Sequence, residues 1–253
     1  RGNTKKDDIE YKSLYCPVNS VLLAVGPSPA NPQLWSRHVA TPDGWTFVIP
    51  NTTDTTSYGY LYNKDITPLE TAKTNFSKLF PEASESYSGH FDHKQEVVNL
   101  LFESYRAKTP LRIDSNGRKI ILNGNRLSFF EPMEATAVLS YLKVATVTFP
   151  WASGEYDRLS QKAEMSIKSF FHEIQTFILW HYIKGSVYDT PFWRDAQTKT
   201  TAIFEQPDEK FQYMINLVKS GDYIDLKQSD KEYGPWQLYS IKRWYEGYIN
   251  ERK

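Results

Sequence analysis

Glu134 stands in Asn123-Gly-Asn-Arg-Leu-Ser-Phe-Phe-Glu-Pro-Met-Glu-Ala-Thr-Ala-Val138, where a carboxylate, a proline and a run of small residues meet. The segment follows an apolar run, Ile120-Ile-Leu122, bounded by Gly117 and Gly124, which predicts strand, turn and helix in that order. Pro132 suits a first helical turn, and Met133, Ala137, Tyr141 and Val144 recur at helical spacing, so a helix is expected to begin within a residue or two of Glu134. Its first backbone N–H groups, around Thr136, lack partners within the helix and carry the positive end of its dipole. They are donors suited to an anion. By itself Glu134 is explained by that same dipole, which stabilises an acid in the first turn by roughly 0.3–1 kcal/mol.

Other reactive side chains offer less. His90-Phe-Asp-His93 with Glu96 has some of the ingredients of a metal site but no third fixed ligand, and no metal is expected there. His172 and His181 are nine residues apart on one predicted helix, which places them on opposite faces. No Gly-x-Ser-x-Gly, no phosphate loop and no Gly-x-Gly-x-x-Gly occurs, so neither serine hydrolysis, nucleotide hydrolysis nor a complete dinucleotide-binding fold is indicated.

The elements that would position Glu134 are legible from periodicity. Val18, Val21-Leu-Leu23 and Val25 suggest a strand, with loop through the proline-rich run from Gly26 to Pro32. His38-Val-Ala40 leads through the turn Pro42-Asp-Gly44 into Trp45-Thr-Phe-Val-Ile49, which puts Trp45, Phe47 and Ile49 on one face. Ser57 to Tyr62 continues an antiparallel meander. Thr67 and Pro68 open a helix that Pro81 closes. Phe91 to Val98 and Leu100 to Phe102 read equally as strand or helix, and Asn116-Gly117 signals a hairpin. Beyond Pro132 the chain reads helical: the organising helix, a long one from about Leu159 to Ile183 with a buried stripe at Ile167, Phe170, Phe171, Ile174, Phe177, Ile178 and His181, one capped by Thr190-Pro191, and one over about Pro207 to Lys219. An aromatic-rich tail, Tyr233 to Tyr248, follows. The expectation is an α+β chain, mostly antiparallel sheet in the first half and helical in the second.

Thirty basic and thirty acidic residues among 253 give no net charge, so nothing in the total recommends nucleic acid or an anionic membrane as a partner. The single Cys16 cannot form an internal disulfide and fits a reducing compartment. Apolar runs fall short of the ~18–20 residues that cross a bilayer. A cytoplasmic protein is expected. The first residue is Arg1, which hints at a truncated or processed start.

Phe129-Phe-Glu-Pro-Met-Glu-Ala-Thr-Ala137 resembles the Phe-x-x-Pro-Leu-Glu-Ser-Thr-Gly segment of flavin-dependent halogenases, the tryptophan halogenase family. Three further segments match in the same order. Gly44-Trp-Thr-Phe-Val-Ile-Pro50 resembles the family's Gly-Trp-x-Trp-x-Ile-Pro, Gly59-Tyr-Leu-Tyr62 its next strand, and Asp189-Thr-Pro-Phe-Trp193 a segment near its C-terminal helices. The resemblance covers the C-terminal half of such an enzyme and implies part of a larger monooxygenase-like fold. Residues 1–131 would form the substrate-binding sheet and flavin-facing strands, and 132–253 the helical region with the active-site turn at its start. It implies reduced FAD supplied by a flavin reductase, dioxygen, and chloride, bromide or iodide. A flavin hydroperoxide would oxidise the halide to hypohalous acid, which halogenates an electron-rich, indole- or phenol-like substrate. The partners it implies are a missing N-terminal FAD-binding half and the small aromatic substrate, with room for a homo-oligomer and none for nucleic acid or membrane.

Carried over by position, Glu134 is the active-site carboxylate, Thr136 and Ala137 hold the halide through backbone N–H groups, and Val138 packs on the flavin. Ala137 replaces the family's Gly and Ala135 its Ser. Trp45 and Phe47 take the places of the two tryptophans between flavin and substrate, Trp45 on the flavin side and Phe47, in place of Trp, lining the pocket. Tyr233, Trp244 and Tyr245 stand near the family's aromatic substrate contacts, and the absence of a second Tyr beside Tyr233 argues against free tryptophan. A flavin monooxygenase on the same scaffold and a non-catalytic aromatic-binding fragment are the alternatives.

Overall fold

The computed structural model describes residues 9–28, 35–51, 54–84, 97–133, 136–154, 159–204, 208–221 and 232–250. In chain order the strands and helices are β1 (Tyr11–Ser13), β2 (Ser20–Pro27), β3 (Arg37–Thr41), β4 (Gly44–Pro50), β5 (Thr55–Tyr62), α1 (Leu69–Leu79), α2 (Pro81–Ser84), β6 (Val98–Leu101), β7 (Tyr105–Ala107), β8 (Leu111–Ile113) and β9 (Lys119–Ile121). A 3-10 turn (Gly124–Arg126) leads to β10 (Ser128–Phe129), α3 (Thr136–Ala152), α4 (Leu159–Ile183), α5 (Pro191–Phe204), α6 (Glu209–Ser220), β11 (Glu232–Tyr233), β12 (Trp236–Gln237) and α7 (Leu238–Asn250). The fold is mixed α and β with antiparallel sheets. The halves are less segregated than the sequence suggests, since α1 lies among the early strands and the β11–β12 hairpin among the late helices.

Two compact units are present: Tyr15–Glu103 with Gly185–Thr200, and Arg1–Leu14 with Ser104–Lys184 and Thr201–Lys253. The first, the sheet unit, is built on an antiparallel sheet of order β3-β4-β5-β2-β6. Alternation sends Leu22, Ala24, Val48, Tyr58, Tyr60 and Tyr62 to one face, where Ala72, Phe76, Phe80 and Ala83 of the two short helices and their junction close the core. The opposite face carries Trp45, Phe47 and Ile49, as the spacing predicts. The ambiguous stretch Leu100 to Phe102 resolves in part as strand, because β6 pairs with the edge of β2 from Val98 to Leu101.

The carboxylate of Asp43 anchors the β3–β4 turn. It is buried and accepts from Tyr60 (2.5 Å), Thr67 (3.2 Å) and Asn75 (2.8 Å), tying the turn to β5 and α1. Burial, and then the hydrogen bond to Asp43, push the Tyr60 phenol above its ordinary pKa. Burial does the same to Tyr233. Above about pH 10 these tyrosines keep their protons when folded and lose them when unfolded, so the unfolded state binds fewer protons and stability falls as pH rises. The expected slope is about 1.4 kcal/mol per pH unit for each such tyrosine. Denaturant melts at pH 8 and at pH 11 check this, and equal midpoints would show that these phenols ionise freely in the folded chain.

The second, helical, unit is organised by α4, whose bounds match the sequence expectation. Ile167, Phe170, Phe171, Ile174, Phe177, Ile178 and His181 are all buried. Phe130 packs on Phe171 at 5.8 Å between ring centres, and Trp236 stacks on Phe177 at 3.8 Å. A three-stranded sheet, β1-β7-β10, and the β8–β9 hairpin complete the unit.

Candidate active site

α3 starts close to where Glu134 predicts, its first two described residues being Thr136 and Ala137. Glu134 and Ala135 lie outside the described residues, as do His90, His93 and Glu96. Among the described residues no group of three or more His, Cys, Asp or Glu is arranged to hold a metal, and no helix is long and apolar enough to cross a membrane.

The expected apolar face holds in part: Met133 and Val144 are buried, whereas Ala137 is exposed and Tyr141 only half-buried, and Thr136, Ser140, Thr148 and Trp151 complete the buried stripe of α3. Hydroxyl chemistry explains the rotation: Ser140 donates to the Thr136 carbonyl and Thr148 to that of Val144, each at 2.7 Å. A hydroxyl satisfied on its own helix loses little on burial, so the small polar residues face inward and Val138, Leu142 and Phe149 form an exposed apolar ridge. Val138 is 58% exposed.

The turn before α3 is fixed by a pair that sequence reasoning missed. Glu131 and Tyr182 are each 1% exposed, and the Tyr182 hydroxyl lies 2.8 and 2.9 Å from the two Glu131 oxygens, to which it donates. The bond ties the Glu131-Pro132 turn to α4 and so restricts where the chain can enter α3. Tyr182→Phe removes a donor from a buried carboxylate and is expected to cost about 1–3 kcal/mol in stability. Denaturant titration measures it, and a loss below about 0.5 kcal/mol would mean that Glu131 does not depend on this bond.

In the sheet unit Trp45 is buried, with the His38 ring edge-on at 5.0 Å and Phe47 at 6.3 Å. The Phe47 ring lies over Gly59, where a Cβ would stand 2.0 Å from it, so Gly59 is the floor this aromatic needs. Two of the matched sequence segments meet here. Trp193 Nε1 donates to the Thr41 carbonyl at 2.7 Å and the Thr190 hydroxyl to that of Pro42 at 2.6 Å, so the start of α5 clamps the turn that presents Trp45.

The tail residues are placed in the helical unit. Tyr233 is fully buried and donates to Asp208 at 2.9 Å, and the same carboxylate caps α6 through Phe211 N and meets His172 at 2.9 Å. Trp244 packs edge-on against His181 at 4.1 Å, while Tyr245 is half-buried under the Lys219 ammonium. The structure thus groups Thr136, Ala137 and Val138 on α3, Trp45 with Phe47 on β4, and the three tail aromatics around the last elements.

The tryptophan halogenase family pattern matches residues 4–246, and the chain belongs to that family. Its fold resembles a tryptophan 6-halogenase from Streptomyces toxytricini (18% identity, TM-score 0.68, 93% of this chain and 43% of that one). It also resembles a tryptophan halogenase from Shewanella frigidimarina (20%, 0.64, 91% and 42%) and the flavin-dependent halogenase BrvH from Brevundimonas sp. BAL3 (16%, 0.66, 95% and 45%). The chain therefore spans less than half the length of each of these relatives. No curated protein matches it.

Proposed function

We propose that this chain carries the halide and aromatic-substrate portions of a flavin-dependent halogenase acting on an electron-rich, indole- or phenol-like ring. The observation that carries the reading is the family match over residues 4–246, which takes in all four motif segments. In this reading residues 1–131 supply flavin-facing and substrate strands and residues 132–253 the halide turn and helical region. The FAD-binding half and a flavin reductase are partners.

The described residues fit both small groups. A halide suits the start of α3, where backbone N–H groups and the helix dipole favour an anion. A flavin ring suits the apolar ridge that opens with Val138. The sequence contains no Gly-x-Gly-x-x-Gly, and in this reading the FAD-binding half holds the dinucleotide's pyrophosphate. Reduced flavin and dioxygen supply the oxidising equivalent that turns halide into hypohalous acid. The chain's own work is placement. Thr136 and Ala137 hold the halide, and the aromatic carbon then attacks the halogen of hypohalous acid as its oxygen leaves as hydroxide. Glu134 stabilises the cationic ring, accepts the proton it loses and passes that proton to the hydroxide, which becomes water. Trp45 and Phe47 wall substrate from flavin. Tyr233, Trp244 and Tyr245 are the aromatic substrate contacts of this reading.

The test is product analysis by mass spectrometry after incubating the complete protein with reduced FAD, bromide and an indole panel. Brominated product is expected. Oxygenated product alone would favour a monooxygenase, and aromatic binding without turnover a non-catalytic fragment.

A further inference from the structure

The face of the five-stranded sheet that carries Trp45, Phe47 and Ile49 holds a groove of about 500 Å³, well inside the ~300–1,000 Å³ range of small-molecule sites. Strand register builds it. Phe47, Gly59, Leu23 and Val98 stand in one row across β4, β5, β2 and β6, with Ile49, Ser57 and Val25 in the row beside it. All of these line the groove except Gly59, which is the gap among them. Among the described residues no charged side chain lines it. Its polar side chains are already engaged: the Asn51 amide donates to the Ser57 hydroxyl at 2.8 Å, and the Tyr58 hydroxyl donates to Glu82. An uncharged ring system can be desolvated here, whereas the ammonium and carboxylate of a free amino acid would lose water and gain no counter-charge.

Gly59 decides how much of that space is open. Its φ lies outside the left-handed region, so the backbone would accept any residue, and the three atoms nearest a Cβ placed there all belong to the Phe47 ring. Glycine therefore supplies room and not backbone freedom. The ring uses that room to lie down on β5 instead of standing away from the sheet. Trp45 and Ile49 flank Phe47 on the same face of β4, so a ring displaced from Gly59 has the groove as its way out. A methyl group at position 59 would thus fill the groove with the protein's own side chain.

We propose that Gly59 is a specificity-determining residue: by holding the Phe47 ring against the sheet it keeps a berth open for a neutral aromatic substrate of more than one ring system. A lone indole or phenol would leave much of the groove unfilled, and a substrate carrying a second ring would bury it against Leu23, Val25 and Val98. Calling the occupant a substrate rests on the halogenase reading, whereas the berth and its dependence on Gly59 are read by binding alone.

Calorimetric titration of the complete protein with 2-phenylindole, indole and L-tryptophan tests it. The parent should bind 2-phenylindole at least about tenfold tighter than indole, and L-tryptophan no tighter than indole. Gly59→Ala should remove the preference for the larger ring. On a Phe47→Ala background the same substitution should change 2-phenylindole affinity by less than about twofold, because no ring is left to displace, whereas general damage to the sheet would lower it on both backgrounds. Circular dichroism and thermal melting report folding. Should Gly59→Ala not fold, Val98→Trp, which enlarges an exposed lining side chain, carries the test: it should remove the preference, and a preference retained there would overturn the proposal. No preference in the parent, a preference that survives in folded Gly59→Ala, or equal losses on the two backgrounds would overturn it as well. A preference that depends on Gly59 in a protein that forms no brominated product would support the berth and count against the halogenase reading.

Discussion

Glu134→Gln in the complete enzyme is expected to lower the rate of aromatic halogenation by about 10²-fold or more, while flavin oxidation continues. The amide keeps the size of the carboxylate and loses its charge and its capacity to take a proton. Stabilisation of a cationic ring and acceptance of its proton therefore disappear together. A helix-start role alone predicts a different outcome: the variant would lose roughly 0.3–1 kcal/mol of stability and form product at the parental rate. Parallel measurement of product by mass spectrometry and of flavin reoxidation by absorbance separates the two. Unchanged product formation would return Glu134 to the structural role.

The second large effect is on stability. Asp43→Ala leaves the Tyr60 hydroxyl, the Thr67 hydroxyl and the Asn75 amide without the acceptor that joins them, two of these being buried residues. Each buried donor left unmet costs about 1–3 kcal/mol, which places the total near 3–5 kcal/mol. For a chain of this size that corresponds to a fall in Tm of roughly 6–20 °C. Tyr60→Phe removes a single donor and should cost less. Because Asp43 also holds the turn that enters β4, the Trp45 fluorescence environment should change in Asp43→Ala and not in Tyr60→Phe. A Tm within 2 °C of the parent would show that water replaces the carboxylate at little cost.

What the sequence reveals here is what repeats along the chain. The α4 stripe is legible because large apolar residues recur at helical spacing from Ile167 to Ile178, and the face shared by Trp45, Phe47 and Ile49 because strand alternation is strict. α3 defeats the same reasoning: its core face contains Thr136, Ser140 and Thr148, whose hydroxyls are satisfied by their own helix, so a hydropathy pattern points one residue away. Long-range partners leave no local signal. Asp43 reads as an ordinary turn residue until Tyr60, Thr67 and Asn75 converge on it, and Glu131 reads as punctuation until Tyr182, fifty-one positions later, donates to it. Tyr233 reads as one more tail aromatic, and only the fold shows its hydroxyl committed to Asp208. Of the candidate site, resemblance nominates the motif residues, while the bonds that hold their elements in place leave no trace in the motifs.

The central claim is that the start of α3 holds a halide for transfer to an aromatic ring. Diffraction at the bromine absorption edge, from crystals of the complete protein grown in bromide, tests it most directly. The account predicts an anomalous peak within hydrogen-bonding distance, about 3.2–3.5 Å for this large ion, of the backbone nitrogens of Thr136 and Ala137. Bromide bound elsewhere, with that position empty at saturating concentration, would contradict it.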